Sequence, residues 1–213
     1  MTGRGDIQRY IQRDVHVAFR HDRAYAYRQR AFDLVIATAA LTIAGPVLGA
    51  AALAIWLEDR GTPLFTQYRV GQYGRLFKIY KLRTMKLDDC KDAVSPSGSK
   101  DSRVTRVGRW LRKTSIDELP QLFNVFRGEM ALVGPRPEMP FIVNKYEPWQ
   151  HCRHLRKPGI TGLWQVSVRK QIPLHDPDAT KIDLEYVRIA STRTDSRIIL
   201  RTIAALVRPQ GAF

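Results

Sequence analysis

At 213 residues the chain is long enough for one domain with a packed core. Its 35 lysines and arginines against 20 acidic residues give a net charge of +15, which directs it to polyanions: nucleic acid, anionic lipid or a phosphorylated substrate. Two cysteines, Cys90 and Cys152, in unlike contexts and outside any C-x-x-C spacing, indicate neither a disulfide framework nor a zinc site and fit a reducing cytosolic face.

Residues 1–30 carry seven arginines and no lysine, and Ile7, Tyr10, Ile11, Val17 and Ala18 follow a partly helical rhythm. A basic amphipathic extension is expected there, with a disordered basic tail as the alternative. Leu34 to Leu57 is the one long apolar run, placed within a membrane segment at 31–60. Its 24 residues would reach about 36 Å as a helix, enough for a hydrocarbon core of about 30 Å. Gly45 and Pro46 stand at its centre, however, and a proline there removes a helical hydrogen bond and favours a kink. Each half is then about 17 Å long, too short to cross alone. Crossing would also divide the basic residues between the two sides, against the positive-inside bias. A re-entrant helix that bends at Gly45-Pro46 and returns to the same face is therefore expected, the carbonyl freed at the bend being met by Thr38 or Thr42. A spanning helix and a soluble core helix are the alternatives.

Leu64 to Gly71 and Leu76 to Arg83, joined through Gly71 and Gly74, have the pattern of a small β-hairpin whose basic residues face a charged ligand or water. Residues 86–103 turn polar and read as a loop, in which Asp88 and Asp89 are more simply a solvated turn than a metal site. Val104 to Leu111 predicts a short helix with arginines every third residue.

Next comes the stretch Thr114 to Val125. Leu119, Leu122, Phe123 and Phe126 fall on one face of a predicted helix. Pro120 is tolerated only in a first turn, so Asp117 and Glu118 are expected at the helix N-terminus or one residue outside it. Ser115 and Glu118 have capping-box spacing, but a helix capped at Ser115 would carry Pro120 past its first turn. Arg103, Arg106, Arg109, Arg112 and Lys113 precede the carboxylates, while Arg127 and Arg136 follow. Such surroundings would keep a carboxylate ionised as a nucleophile and would attract phosphate.

Gly128 ends this helix, and Gly134-Pro135-Arg136-Pro137 holds an arginine on a stiff extended backbone suited to clamping phosphate. His151-Cys152-Arg153-His154 reads as a solvated basic face rather than a metal site. Pro158 to Val166 is a glycine-punctuated loop with Trp164 as its aromatic anchor. Ile182 to Ile189 predicts a helix, and Arg197 to Arg208 a basic amphipathic one suited to anionic lipid, or else an ordinary core helix.

Four ordered stretches, Lys78 to Met85, Leu111 to Val125, Leu132 to Pro137 and Lys157 to Val166, together resemble the bacterial sugar transferase family, the monotopic polyprenyl-phosphate phosphoglycosyltransferases. The resemblance runs from about Arg28 to Ala212. It departs at Gly45, where the family usually has serine, and at Val168, where it usually has glycine. The resemblance implies an α+β, mainly helical fold with a re-entrant membrane helix, interfacial amphipathic helices and a small hairpin. It implies a catalytic domain over 61–213 on the cytoplasmic face of the bacterial inner membrane. The implied activity moves a sugar-1-phosphate from a UDP-sugar to polyprenyl phosphate and releases UMP. Asp117 is the implied nucleophile, forming an aspartyl intermediate, and Glu118 holds Mg2+ with it. Arg112, Arg136, Lys81 and Arg83 are placed around the substrate phosphates. Donor, acceptor and anionic lipid are the implied partners; homo-oligomerisation is left open and nucleic acid is not expected. The rival reading is a non-enzymatic basic protein on membrane or nucleic acid, which leaves the carboxylate pair without a purpose.

Overall fold

The computed structural model describes residues 23–86, 101–167 and 177–207, and its longest element comes first. Helix α1 (Arg23–Asp59) contains the whole apolar run, with Pro46 inside it. Helical structure continues across Pro46, so the proline is accommodated rather than ending the element. The expected rescue by threonine takes another form: the Thr42 hydroxyl donates to the Thr38 carbonyl at 3.0 Å. The carbonyl that proline deprives of a donor is Thr42's own.

Two faces of α1 differ. Ala37, Ala44 and Ala51, at seven-residue spacing, are buried together with Ile55. Small side chains on that stripe let the rest of the chain approach the helix closely. Val35, Ile43, Leu53 and Leu57 point outward on the other face, and Ile43 is 78% exposed. Only 11% of the apolar window is buried, whereas the core helix of a soluble protein is mostly buried.

Strands β1 (Leu64–Val70) and β2 (Leu76–Leu82) form the expected antiparallel hairpin, pairing Leu64 with Leu82 and Val70 with Leu76. Phe77 and Ile79 face the core, and Lys81 shares their parity. Helix α2 (Arg106–Thr114) starts two residues later than the sequence pattern suggested, because the Thr105 hydroxyl caps it by accepting from Gly108 N. Val104 instead bridges to Met85. Helix α3 (Gln121–Arg127) ends at Gly128, whose φ of 81° is the left-handed conformation glycine adopts freely. Strand β3 (Ala131–Val133) pairs in parallel with β4 (Gly159–Thr161). Helix α4 (Pro140–Val143) and a 3-10 helix (Pro148–Leu155) lie between them, and α5 (Leu163–Ser167), α6 (Pro177–Ile189) and α7 (Thr192–Val207) follow. Ala37, Phe77, Leu122, Val125, Tyr186 and Ile198 meet in one core, so α1, the hairpin, α3, α6 and α7 share it.

Both ends of α1 are tied to this body. Near its start the Tyr25 hydroxyl donates to Asp195 at 2.7 Å, and Arg30 donates to the Val125 and Phe126 carbonyls at 2.6 and 2.7 Å, capping α3. At its end Glu58 accepts from the Arg106 and Val107 amides at the start of α2, while Asp59 takes both Nη groups of Arg83.

Most of the expected N-terminal extension lies outside the described residues, as do Asp88, Asp89, Cys90, Val168 and Arg169. The His151–His154 cluster departs from the solvated face expected of it. Arg153 and His154 are buried, since Arg153 finds a carboxylate in Asp183 on α6.

Candidate active site

The chain enters the site through Ser115, which turns in the left-handed region (φ 57°) and ends α2. A 3-10 turn, Ile116–Glu118, follows, and Pro120 precedes the first residue of α3. Asp117 and Glu118 thus lie in the 3-10 turn, four and three residues before the first residue of α3, further out than the helix start or the one residue before it that Pro120 suggested, because Pro120 takes the N-cap rather than a place in the first turn. Ser115 makes no side-chain cap, so the capping box is absent.

The apolar face predicted for α3 is half right. Leu122 is buried and Leu119 packs on the core, but Phe123 and Phe126 are 56% and 50% exposed. The inward positions are Gln121, Leu122, Asn124 and Val125. Asn124 decides this rotation. Its amide donates to the Lys78 carbonyl at 2.7 Å and to Glu129 at 2.8 Å, and its oxygen accepts from Tyr80 N at 3.1 Å. The side chain clamps α3 to β2, and through β2 to Lys81.

Lys81 Nζ donates to Glu118 Oε1 at 2.8 Å, and Arg136 Nη2 reaches the same oxygen at 3.3 Å. These three side chains are each about one-fifth exposed, so the group is solvent-accessible without being solvated. Burial lowers the Lys81 pKa, and the charge of Glu118 opposes that. Asp117 is 9% exposed. Burial, then the charge of Glu118, pushes its carboxyl up to about 6, although Lys81, Arg112 and Arg136 pull the other way. The cations were expected to keep this group firmly ionised; desolvation outweighs them.

Arg112 donates its Nε to Thr84 Oγ1 at 2.8 Å, and its charge acts on Asp117 and Glu118. Arg83 is elsewhere engaged. It is paired with Asp59 and donates its Nε to the Thr62 carbonyl at 2.6 Å. Strand β2 ends at Leu82, so the parity that carries Lys81 to the carboxylates no longer governs Arg83. Its role is to dock the end of α1 on the hairpin.

Other residues escaped the sequence reading. Arg69 is buried, and its charge reaches Glu118, Arg136 and Glu138. Phe65, Gln67 and Arg69 share one strand parity, the only signal that pointed it inward. Glu138, Arg153 and Asp183 are buried with it, and no periodic pattern marks them. The segment carrying Arg136 is set by close glycine contacts: a Cβ on Gly134 would lie 2.2 Å from the Lys157 carbonyl, and one on Gly159 2.1 Å from Gly134 N.

Among the described residues no three His, Cys, Asp or Glu side chains gather to hold a metal by themselves. Two adjacent carboxylates, one buried beside the other's charge, still suit a hard divalent cation that takes its remaining oxygens from substrate and water. An open cleft of about 540 Å3 lies apart from this chemistry, between Trp149 and the α6 residues Lys181, Leu184, Glu185, Arg188 and Ile189. None of the carboxylates or cations above lines it.

Residues 24–209 match the family described as Bacterial sugar transferase. The chain is 42% identical over 195 residues to the undecaprenyl-phosphate glucose phosphotransferase of Komagataeibacter xylinus, an alignment covering 87% of this chain and 37% of that protein. It is 42% identical over 192 residues to the UDP-glucose:undecaprenyl-phosphate glucose-1-phosphate transferase of Caulobacter vibrioides, covering 87% and 72%. With the undecaprenyl-phosphate galactose phosphotransferase of Salmonella typhimurium it shares 35% identity over 210 residues, covering 90% and 43%. The chain therefore spans less than half the length of several curated relatives that it matches.

Proposed function

The chain belongs to the bacterial sugar transferase family, and from that premise we propose that it transfers a sugar-1-phosphate from a UDP-sugar to undecaprenyl phosphate, releasing UMP. One observation carries the reading: an aspartate and a glutamate, adjacent in sequence and just outside α3, meet cations from β2, α2 and the Gly134–Pro137 segment. Names of the relatives supply the acceptor and, in one case, the UDP-linked donor.

In this reading Asp117 attacks the sugar-linked phosphorus of the donor, and the bond to the UMP oxygen breaks. A phosphoglycosyl-aspartyl mixed anhydride, an acyl phosphate, and UMP result. An oxygen of the lipid phosphate then attacks the same phosphorus and releases the Asp117 carboxylate. Arg112, Arg136 and Lys81 lower the repulsion between a carboxylate and a phosphodiester, a requirement of any anionic nucleophile meeting an anionic target. Mg2+ held by Asp117 and Glu118 would add charge neutralisation on the diphosphate. Partial burial of Asp117 also strips water from the nucleophile and raises its basicity.

The anchor follows from α1. Its outer face is apolar, yet Tyr25 near one end and Asp59 at the other are both fastened to the same body. A helix crossing the bilayer would have to separate those ends, so the latches support a re-entrant, monotopic attachment on one face. Trp56, with Arg60 4.2 Å from its ring, suits the headgroup boundary near the exit of α1. Exposed Phe123, Phe126, Leu200 and Ile203 are candidates for contact with lipid beside the site. The acceptor phosphate would meet the carboxylates at headgroup level.

Purified enzyme in lipid nanodiscs, given undecaprenyl phosphate and UDP-glucose, UDP-galactose or UDP-N-acetylgalactosamine in turn, should release UMP with at least one donor. Asp117→Asn should abolish the release and the radiolabelled sugar-phosphate adduct trapped on the wild type without acceptor. Wild-type turnover in Asp117→Asn would remove the covalent mechanism.

A further inference from the structure

Arg136 stands on a segment whose four successive carbonyls are all occupied. Pro135 O accepts from Gly159 N at 2.9 Å, Arg136 O from Arg153 Nη2 at 2.8 Å, Pro137 O from Arg69 Nη1 at 3.4 Å, and Glu138 O from Val70 N at 2.9 Å. Two backbone donors are what neighbouring strands supply. The other two are guanidinium groups, each itself buried.

Arg153 is the more committed. It is 2% exposed, its Nη1 donates to the Tyr146 hydroxyl, and its Nη2 also pairs with Asp183, which is 3% exposed. Burying such a pair costs solvation that mutual attraction only partly returns, and apolar side chains of equal volume often serve stability as well. What an apolar pair lacks is the donor to the Arg136 carbonyl. The planar fork reaches Asp183, Tyr146 and that carbonyl at once, whereas a lysine donates from a single point. Stiffness there matters because the Arg136 guanidinium must hold Glu118 Oε1 while meeting a phosphate, and misplacement by about 1 Å can cost about a hundredfold in rate.

We propose that Arg153, held by Asp183 and Tyr146, is a positioning residue for transfer: it fixes the Arg136 main chain so that the Arg136 guanidinium is aimed at Glu118 and the donor diphosphate. The proposal rests on the reading of Arg136 as a phosphate-binding residue. It also makes α6, which supplies no group to the reacting atoms, part of the apparatus that sets the site.

A double-mutant cycle tests this with full-length wild type, Arg136→Lys, Arg153→Lys and the double variant in nanodiscs. The measurement is kcat/KM for UMP release with undecaprenyl phosphate and the most active of the three UDP-sugars. Arg153→Lys should lower kcat/KM tenfold to about a hundredfold in the wild-type background, yet by less than about twofold when Arg136 is already lysine. An equal loss in both backgrounds, or no loss at all in folded Arg153→Lys, overturns the proposal. Full activity in Arg136→Lys overturns instead the reading of Arg136 on which it rests. Should Arg153→Lys fail to fold, the same cycle with Asp183→Asn decides by the same criterion.

Discussion

Asp117 is where the residue scale matters most. Its folded carboxyl holds a proton up to about pH 6, against about 4 in an unfolded chain, so folding takes up a proton between those values. The stability this represents is complete below about pH 4 and is lost as pH rises through 6. At pH 8 the ionised, desolvated carboxylate costs on the order of 2–3 kcal/mol. Asp117→Asn should therefore raise the melting temperature at pH 8 but not at pH 4, while abolishing transfer; equal melting shifts at both pH values would contradict this. For the wild type, kcat/KM should fall about tenfold per pH unit below an acid limb near 6. That limb belongs to Asp117, whose carboxyl is raised by burial and by the neighbouring charge of Glu118. Added Mg2+ should move it to lower pH, because a bound cation favours the ionised form. Lys81 and Arg136 share one Glu118 oxygen, so Glu118→Gln should loosen both cations and weaken the Mg2+ dependence of UMP release.

At the scale of elements, α3 is aimed by Asn124 and Arg30 more than by its apolar face. Asn124→Ala would strand the Lys78 carbonyl and the Tyr80 amide, both met at present by its side chain. A loss of about 3 kcal/mol in unfolding free energy is expected, read from denaturant curves. Activity of the residual folded protein should also fall, since Lys81 rides on the same strand. Arg83 gives the contrasting case. Arg83→Met breaks the pairing with Asp59 and should cost about 2 kcal/mol, but the donor KM of the folded enzyme should stay within about twofold. A large rise in donor KM would return Arg83 to the phosphate site that the family resemblance implied for it. Exposure of Phe123 and Phe126 has a similar lesson. They obey helical periodicity with Leu119 and Leu122, and the pattern cannot say whether an apolar face meets protein or lipid.

For the whole molecule, topology is the open quantity with a direct measurement. With α1 fastened near both ends, cysteines placed at Tyr27 and Thr66, in a chain lacking Cys90 and Cys152, should be equally protected from an impermeant maleimide added outside intact spheroplasts. Labelling of position 27 alone would mean that α1 crosses. At 1 M salt the screening length falls to about 3 Å, which would release a protein held only by its +15 charge. This chain should stay with the membrane pellet, because the outer face of α1 is apolar.

Much of this was legible in one dimension. Pro120 put Asp117 and Glu118 at or next to a helix start, period-two alternation with glycine punctuation marked the hairpin, and the apolar run marked α1, because each rests on sterics or periodicity within a few residues. Tertiary structure alone decided the partners. It diverted Arg83 to Asp59, brought Lys81 and Arg136 to one oxygen of Glu118, and buried Arg69 and Arg153 behind the segment that carries Arg136. It also turned a carboxylate expected to be held ionised by cations into one with a raised pKa. Desolvation and ion pairing depend on which distant segments converge: Asp59 meets Arg83, Lys81 and Arg136 meet Glu118, and Arg153 meets Asp183 only because α1, the hairpin, α6 and the intervening segments pack together.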